Sequence, residues 1–135
     1  MKVILDCNIW ISFLIGHQTD LIRKILTDIR FDVYVCSQLM EEINDVANRD
    51  KIRKYVAKND LEDLFRLIAV FCKQVTIDCQ TNATIRDPKD LYLLSFAECI
   101  GADYIVSGDL DVLDIHQHNN TRMIKLSEFK QIMQY

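Results

Sequence analysis

Four carboxylates stand where chemistry could be done: Asp6, Glu42, Asp90 and Asp109. Asp6 closes the apolar run Lys2-Val3-Ile4-Leu5, with Asn8 just beyond it. Asp109 follows Tyr104-Ile105-Val106-Ser107 and Gly108, and Asp111 comes next but one. Asp90 ends Asp87-Pro88-Lys89-Asp90 at the head of a long apolar stretch, and Glu42 lies inside Ser37–Ala47. Acids just past strand ends and at helix starts occupy the edge where an open α/β sheet places its ligands. Two carboxylates about 4 Å apart repel by ~4 kcal/mol at an effective dielectric of ~20, so a cluster must hold protons or a cation. Hard oxygen donors without His or Cys select Mg²⁺ or Mn²⁺. Such an ion activates water and neutralises a phosphodiester during its hydrolysis.

Each acid also has an ordinary explanation. Asp6 and Asp109 suit turns after strands, Glu42 suits a solvated helix face, and Asp90 suits a capping box with Asp87 as N-cap and Pro88 at N1. The stronger signal is collective, because all four fall on the predicted carboxyl side of one parallel sheet. At ~100° per residue, Leu39, Met40, Ile43, Val46 and Ala47 form an apolar helix face. Glu42 sits on its edge, while Glu41 and Asp45 point away. Asp90 shares a face with Leu94 and Ala97 at the positive end of its helix. Ser12 and Ser107 can orient a ligand or water, although local backbone capping accounts for such serines equally well. His116 and His118 lie in an Asn-rich loop with no partner nearby in sequence, and His17 reads as surface. No Gly-rich phosphate loop and no G-x-S-x-G is present.

The elements that must position these acids alternate. Strands are expected at Val3–Leu5, Phe31–Cys36, Val75–Ile77, Tyr104–Val106 and Arg122–Ile124. Helices are expected over 6–15, over a second segment whose inward positions are Leu21, Ile22, Ile25, Leu26 and Ile29 behind Thr19 or Asp20, and from an N-cap at Ser37. Further helices are expected at Lys51–Ala57, Leu61–Cys72 (Leu61, Leu64, Phe65, Ile68 and Phe71 inward), Pro88–Ile100, Asp111–Leu113 and Ser127–Met133, with loops at Cys79–Ile85 and His116–Asn120. Trp10, Phe65 and Phe71 read as core. Alternation of this kind predicts an α/β fold: a three-layer α/β/α sandwich around a mostly parallel sheet of about five strands.

At 135 residues the chain is expected to be a single domain, 1–135. Half of the residues are hydrophobic and mean hydropathy is near zero, so the composition is globular. Five cysteines (Cys7, Cys36, Cys72, Cys79, Cys99) form no C-x-x-C pair, which argues against a disulfide framework or zinc site and for a reducing cytosol. Asp6 and Asn8 interrupt the N-terminal apolar run, so no signal peptide is expected, nor a membrane span. The protein is expected to be soluble and cytoplasmic. The net charge of −4 argues against general polyanion binding, yet Arg49, Lys51, Arg53, Lys54 and Lys58 form a local basic cluster. Arg49, Arg53 and Lys54 are its candidate RNA-backbone contacts.

Three stretches, VILDCNIWIS, SQLMEEINDV and DPKDLYLLSFAECIGADYIVSGDLDVL, resemble the PIN-domain family, in particular the PIN-type (VapC-like) toxins of prokaryotic toxin–antitoxin pairs. The last stretch is the most specific. The resemblance implies an α/β/α sandwich and a ribonuclease dependent on Mg²⁺ or Mn²⁺. It places the family's acids on Asp6, Glu42, Asp90 and Asp109, a further acid on Asp111, and supporting polar residues on Asn8, Ser12 and Ser107. It further implies an RNA substrate, single-stranded, a homodimer, and a small antitoxin that blocks the site.

Two rivals differ in class. Asp6-Cys7-Asn8 after a strand and Gly108-Asp109 with Asp114 resemble parts of a haloacid-dehalogenase phosphatase, but Asn8 stands where that chemistry needs a proton-shuttling Asp. The other rival is a non-catalytic module that keeps the fold to bind RNA or protein. Intact acids argue against it, because binding RNA alone favours fewer negative charges.

Overall fold

The computed structural model describes residues 1–78 and 90–134, so the expected loop at Cys79–Ile85 and the expected caps Asp87 and Pro88 lie outside the described residues. The first strand, β1 (Lys2–Leu5), is the centre of the sheet. Val3, Ile4 and Leu5 are fully buried, as a strand covered on both faces requires. Then come α1 (Cys7–Ile15), α2 (Thr19–Thr27), β2 (Asp32–Cys36), α3 (Ser37–Ala47), α4 (Asp50–Arg53), α5 (Lys58–Phe71) and β3 (Lys73–Val75). After residues 79–89 the chain resumes with α6 (Leu91–Ile100), β4 (Tyr104–Val106), α7 (Leu110–Leu113), β5 (Gln117–His118), β6 (Thr121–Ile124) and α8 (Leu126–Met133).

The strand order is β3-β2-β1-β4-β6-β5, parallel throughout except for the short β5, which pairs antiparallel with β6. From β1 the chain steps outwards to β2 and β3, then crosses back to β4 on the other side of β1. Right-handed crossovers therefore place α1 to α5 on one face of the sheet and α6 on the other. This is the expected α/β/α arrangement. The direction of winding reverses between β1 and β4, and the crevice beyond their carboxyl ends is where such a sheet binds ligands. Asp6 directly follows β1, and Ser107-Gly108-Asp109 directly follows β4. Gly101 closes α6 with φ +65°, a left-handed conformation suited to glycine, which aims the chain into β4.

Several boundaries differ from those read in the sequence. The third strand is Lys73–Val75 rather than Val75–Ile77, because Cys36 of β2 pairs with Val75 and the register runs back from there to Lys73. It is an edge strand, so its exposed Lys73 and Gln74 cost little. Asn119 takes φ +53°, which lets residues expected as loop fold back as the β5–β6 hairpin. Ser37 is not an N-cap: β2 runs into α3 without a loop, so the cap position falls on Cys36. The basic helix is shorter than expected, Asp50–Arg53. Two apolar residues expected inside are outside. Ile29 is 98% exposed because α2 stops at Thr27 and the Arg30–Asp28 ion pair at 2.6 Å pins the following turn. Phe71 is 41% exposed at the last residue of α5, where the chain leaves for β3. Trp10 is fully buried and Phe65 partly so, as expected of core residues. Cys7, Cys36 and Cys72 are buried free thiols and Cys99 is half-buried. No helix among the described residues is long and apolar enough to cross a membrane.

Candidate active site

Asp6 anchors the site. Its backbone N–H donates to Val106 O at 2.9 Å, tying the end of β1 to the end of β4. It is the N-cap of α1, and its Oδ1 accepts from the Cys7 N–H at 2.8 Å. Its Oδ2 accepts from the Ser107 hydroxyl at 2.8 Å and from the Asn8 amide at 3.0 Å. Ser107, itself fully buried, accepts the Asp109 N–H at 3.0 Å, and Asn8 Oδ1 accepts the Gly108 N–H at 2.8 Å. Two adjacent strand ends are thus stitched by one carboxylate, one amide and one hydroxyl. Asp109 caps α7 through the Asp111 N–H at 2.9 Å, so the turn explanation of this acid holds in part.

The other two acids arrive from opposite faces. Glu42 is half-buried on α3, whereas Glu41 and Asp45 are exposed, as helical spacing predicts. Asp90 immediately precedes α6, is 8% exposed, and makes no side-chain cap hydrogen bond to that helix. A cleft of about 450 Å³ brings Asp6, Glu42, Asp90 and Asp109 together with Asn8, Ser12, Cys7, Ile11, Ile15, Val46 and Arg49. The Ser12 hydroxyl donates to Ile9 O at 2.6 Å, which is the local backbone bond expected of a helical serine. Asp111, Arg53 and Lys54 do not line the cleft, and Ser107 acts beneath it through Asp6 and Asp109.

Burial and, after it, charge repulsion perturb the groups of the site. Burial raises the Asp6 pKa from 3.8 to about 6, against the lowering effect of the Ser107 and Cys7 hydrogen bonds, and Glu42 and Asp109 add to the rise. The Cys7 thiol is also pushed up, first by burial and then by Glu42, while Arg49 opposes the shift. Tyr92 donates its hydroxyl to Glu42 Oε1 at 3.4 Å. Its own pKa is raised by burial first and then by Glu42 and Asp6. Among the described residues no three His, Cys, Asp or Glu side chains form a ready-made metal cage.

Cys7, Tyr92 and the apolar lining were not identified from the sequence as site residues. Cys7 reads as a small hydrophobe, and the contact of Tyr92 spans 50 residues. Arg49, expected from the sequence as an RNA-backbone contact, lines the cleft from the joint between α3 and α4. His118, without a partner nearby in sequence, lies 2.8 Å from Glu98 Oε1 across the sheet edge.

A family model of the PIN domain matches residues 2–111. The chain belongs to the PIN-domain family. PIN domains are generally nucleases. No curated protein matches the sequence. Among solved structures, a chain of VapBC2 from Rickettsia felis, crystallised bound to a DNA fragment from their promoter, shares 14% identity and superposes with a TM-score of 0.61. The match covers 93% of this chain and 98% of that one, and at this identity it speaks for the fold alone.

Proposed function

We propose that this PIN-domain chain is a ribonuclease dependent on Mg²⁺ or Mn²⁺ that cuts single-stranded RNA endonucleolytically, as the toxin of a toxin–antitoxin pair. The observation that carries the reading is the convergence of Asp6, Glu42, Asp90 and Asp109 on one cleft at the point where the sheet's winding reverses. The donor set fits the ion. It is all hard oxygen, and the Asp6 carboxylate is made costly first by burial and then by Glu42 and Asp109, a cost that a bound cation would offset. Mg²⁺ commonly keeps several waters and takes one or two carboxylates. Asp6, Glu42, Asp90 and Asp109 are the proposed holders, with Asp111 as an outer acid. Bound there, the ion supplies activation of water and charge neutralisation at the phosphodiester.

The protein's own groups do the rest. Asn8 and Ser107 fix Asp6 against the end of β4 and leave its carboxylate in one orientation. Tyr92 holds Glu42 from behind. Below about pH 6 Asp6 carries a proton in the metal-free site, so cation binding and activity should both strengthen above it. Arg53 and Lys54, exposed on and beside α4, supply outer contacts to the RNA backbone. The VapBC2 likeness supports an antitoxin partner, the sequence resemblance a small antitoxin that blocks the site and a homodimer, and the cysteine pattern of the sequence a cytoplasmic location. The whole chain, 1–135, acts as one domain in this reading.

The test is cleavage of a mixed-sequence single-stranded RNA. Cutting should require Mg²⁺ or Mn²⁺, stop with chelator, and leave no 2′,3′-cyclic phosphate, since external water rather than the 2′-hydroxyl attacks. Cutting that survives chelation, or that yields cyclic phosphate ends, would contradict the proposal.

A further inference from the structure

Arg49 is the cation among the described residues that line the acidic cleft. Its backbone is fixed at the joint between α3 and α4: its N–H donates to Val46 O at 3.1 Å, and its carbonyl accepts from Ile52 at 2.9 Å and Arg53 at 3.0 Å. Glu42 and Val46 lie on α3, and Arg49 follows two residues past its end at Ala47, with extended backbone as the N-cap of α4. Facing that wall are Ile11 and Ile15 of α1, a helix that packs against α3. The cleft therefore combines acids, an apolar wall and a cation. The Arg49 side chain is exposed and makes no hydrogen bond or ion pair with another described residue, although acids line the same cleft.

We propose that Arg49 is the cleft's phosphate grip: it holds the phosphodiester bordering the one cut at the acids, with the intervening nucleoside seated against Ile11, Ile15 and Val46. The planar guanidinium fork matches two phosphate oxygens, and a base reaches an apolar wall only when it is unpaired. This inference rests on the ribonuclease reading and names the neighbouring subsite. Arg53 and Lys54 lie outside the cleft and are not part of the grip.

The experiment compares wild type, Arg49→Ala, Arg49→Lys and, as a single-charge control on α2, Arg23→Ala. Cleavage of a labelled single-stranded RNA is followed with Mn²⁺ over a range of RNA concentrations. Losing a charge-assisted contact to a non-reacting phosphate should lower kcat/KM by about 10- to 100-fold, mainly through KM, in Arg49→Ala. Arg49→Lys should recover part of this, Arg23→Ala should match wild type, and melting temperatures should agree. Equal kcat/KM in wild type and Arg49→Ala, with chelator still silencing both, overturns the grip and leaves the ribonuclease reading standing. If wild type cuts no RNA, that reading fails by itself, and RNA binding in chelator decides the grip. A log K against log salt slope smaller by about 0.7 in Arg49→Ala supports a phosphate contact, and equal slopes overturn it.

Discussion

Replacing Asp6 by Asn removes a charge that the metal-free protein holds at a cost. Asp6 is 3% exposed and its pKa rises from 3.8 to about 6 on folding, driven first by burial. A rise of that size is worth about 3 kcal/mol. The sign follows from which form the fold prefers. Below the unfolded value the carboxyl is neutral in both states and costs nothing. Above about pH 6 it is charged in both, and the folded state bears the full penalty. Between those limits the folded protein binds more protons than the unfolded chain, so the Asp6 contribution to stability falls as pH rises. Asparagine does not titrate, and whatever hydrogen bonding it loses to Cys7, Asn8 and Ser107 is lost at every pH. The informative quantity is therefore the stability difference between wild type and Asp6→Asn, from urea unfolding in chelator at several pH values. Wild type should lose about 2.5 kcal/mol relative to the variant on going from about pH 4 to about pH 7.5. Adding Mg²⁺ at the upper pH should recover much of this in wild type and none in the variant. A difference that is flat with pH, or that grows in favour of wild type, would refute the buried, crowded carboxylate.

Two further substitutions probe the supports of the site. Ser107→Ala removes the 2.8 Å bond to Asp6 and the acceptor of the Asp109 N–H, so it should cost about 1–3 kcal/mol of stability. Because Ser107 lowers the Asp6 pKa, the same variant should move the titration of Asp6 upwards, read from the pH dependence of its unfolding. Tyr92→Phe keeps the ring and loses the hydroxyl on Glu42, and should lower cleavage by roughly 3- to 10-fold with little change in melting temperature. Wild-type activity in Tyr92→Phe would show that Glu42 needs no such support.

The parts of the fold legible in the sequence were those governed by strong periodicity. The unbroken apolar run Val3–Leu5 reads as a central strand, and the spacing around Glu42 separates it correctly from Glu41 and Asp45. Position along the chain, strand end by strand end, also brought the acids to one edge, because a parallel sheet gathers the carboxyl ends of its strands. Short elements were harder. Three-residue β3 is set by its register with β2 and not by its own composition, and β5 depends on a positive φ at Asn119. Ile29 and Phe71 carry apolar side chains outward because a helix ended one turn earlier than periodicity implied, or ended on them. Long-range partners were out of reach: neither Tyr92 on Glu42 nor Glu98 beside His118 leaves a local trace. The division of the basic cluster was also hidden, since only the three-dimensional cleft separates Arg49 from Arg53 and Lys54.

The central claim, an acid cluster that cuts RNA through a divalent ion, meets its most direct test in Asp90→Asn. Asp90 is buried at the head of α6 yet caps none of that helix's N–H groups, and asparagine keeps its shape without its charge. Wild type and variant would be compared on the same single-stranded RNA with Mg²⁺ or Mn²⁺, alongside their melting curves. The account predicts that wild type cuts, that chelator stops it, and that a folded Asp90→Asn is slower by on the order of 10²-fold or more. Equal cutting by the two folded proteins would contradict it.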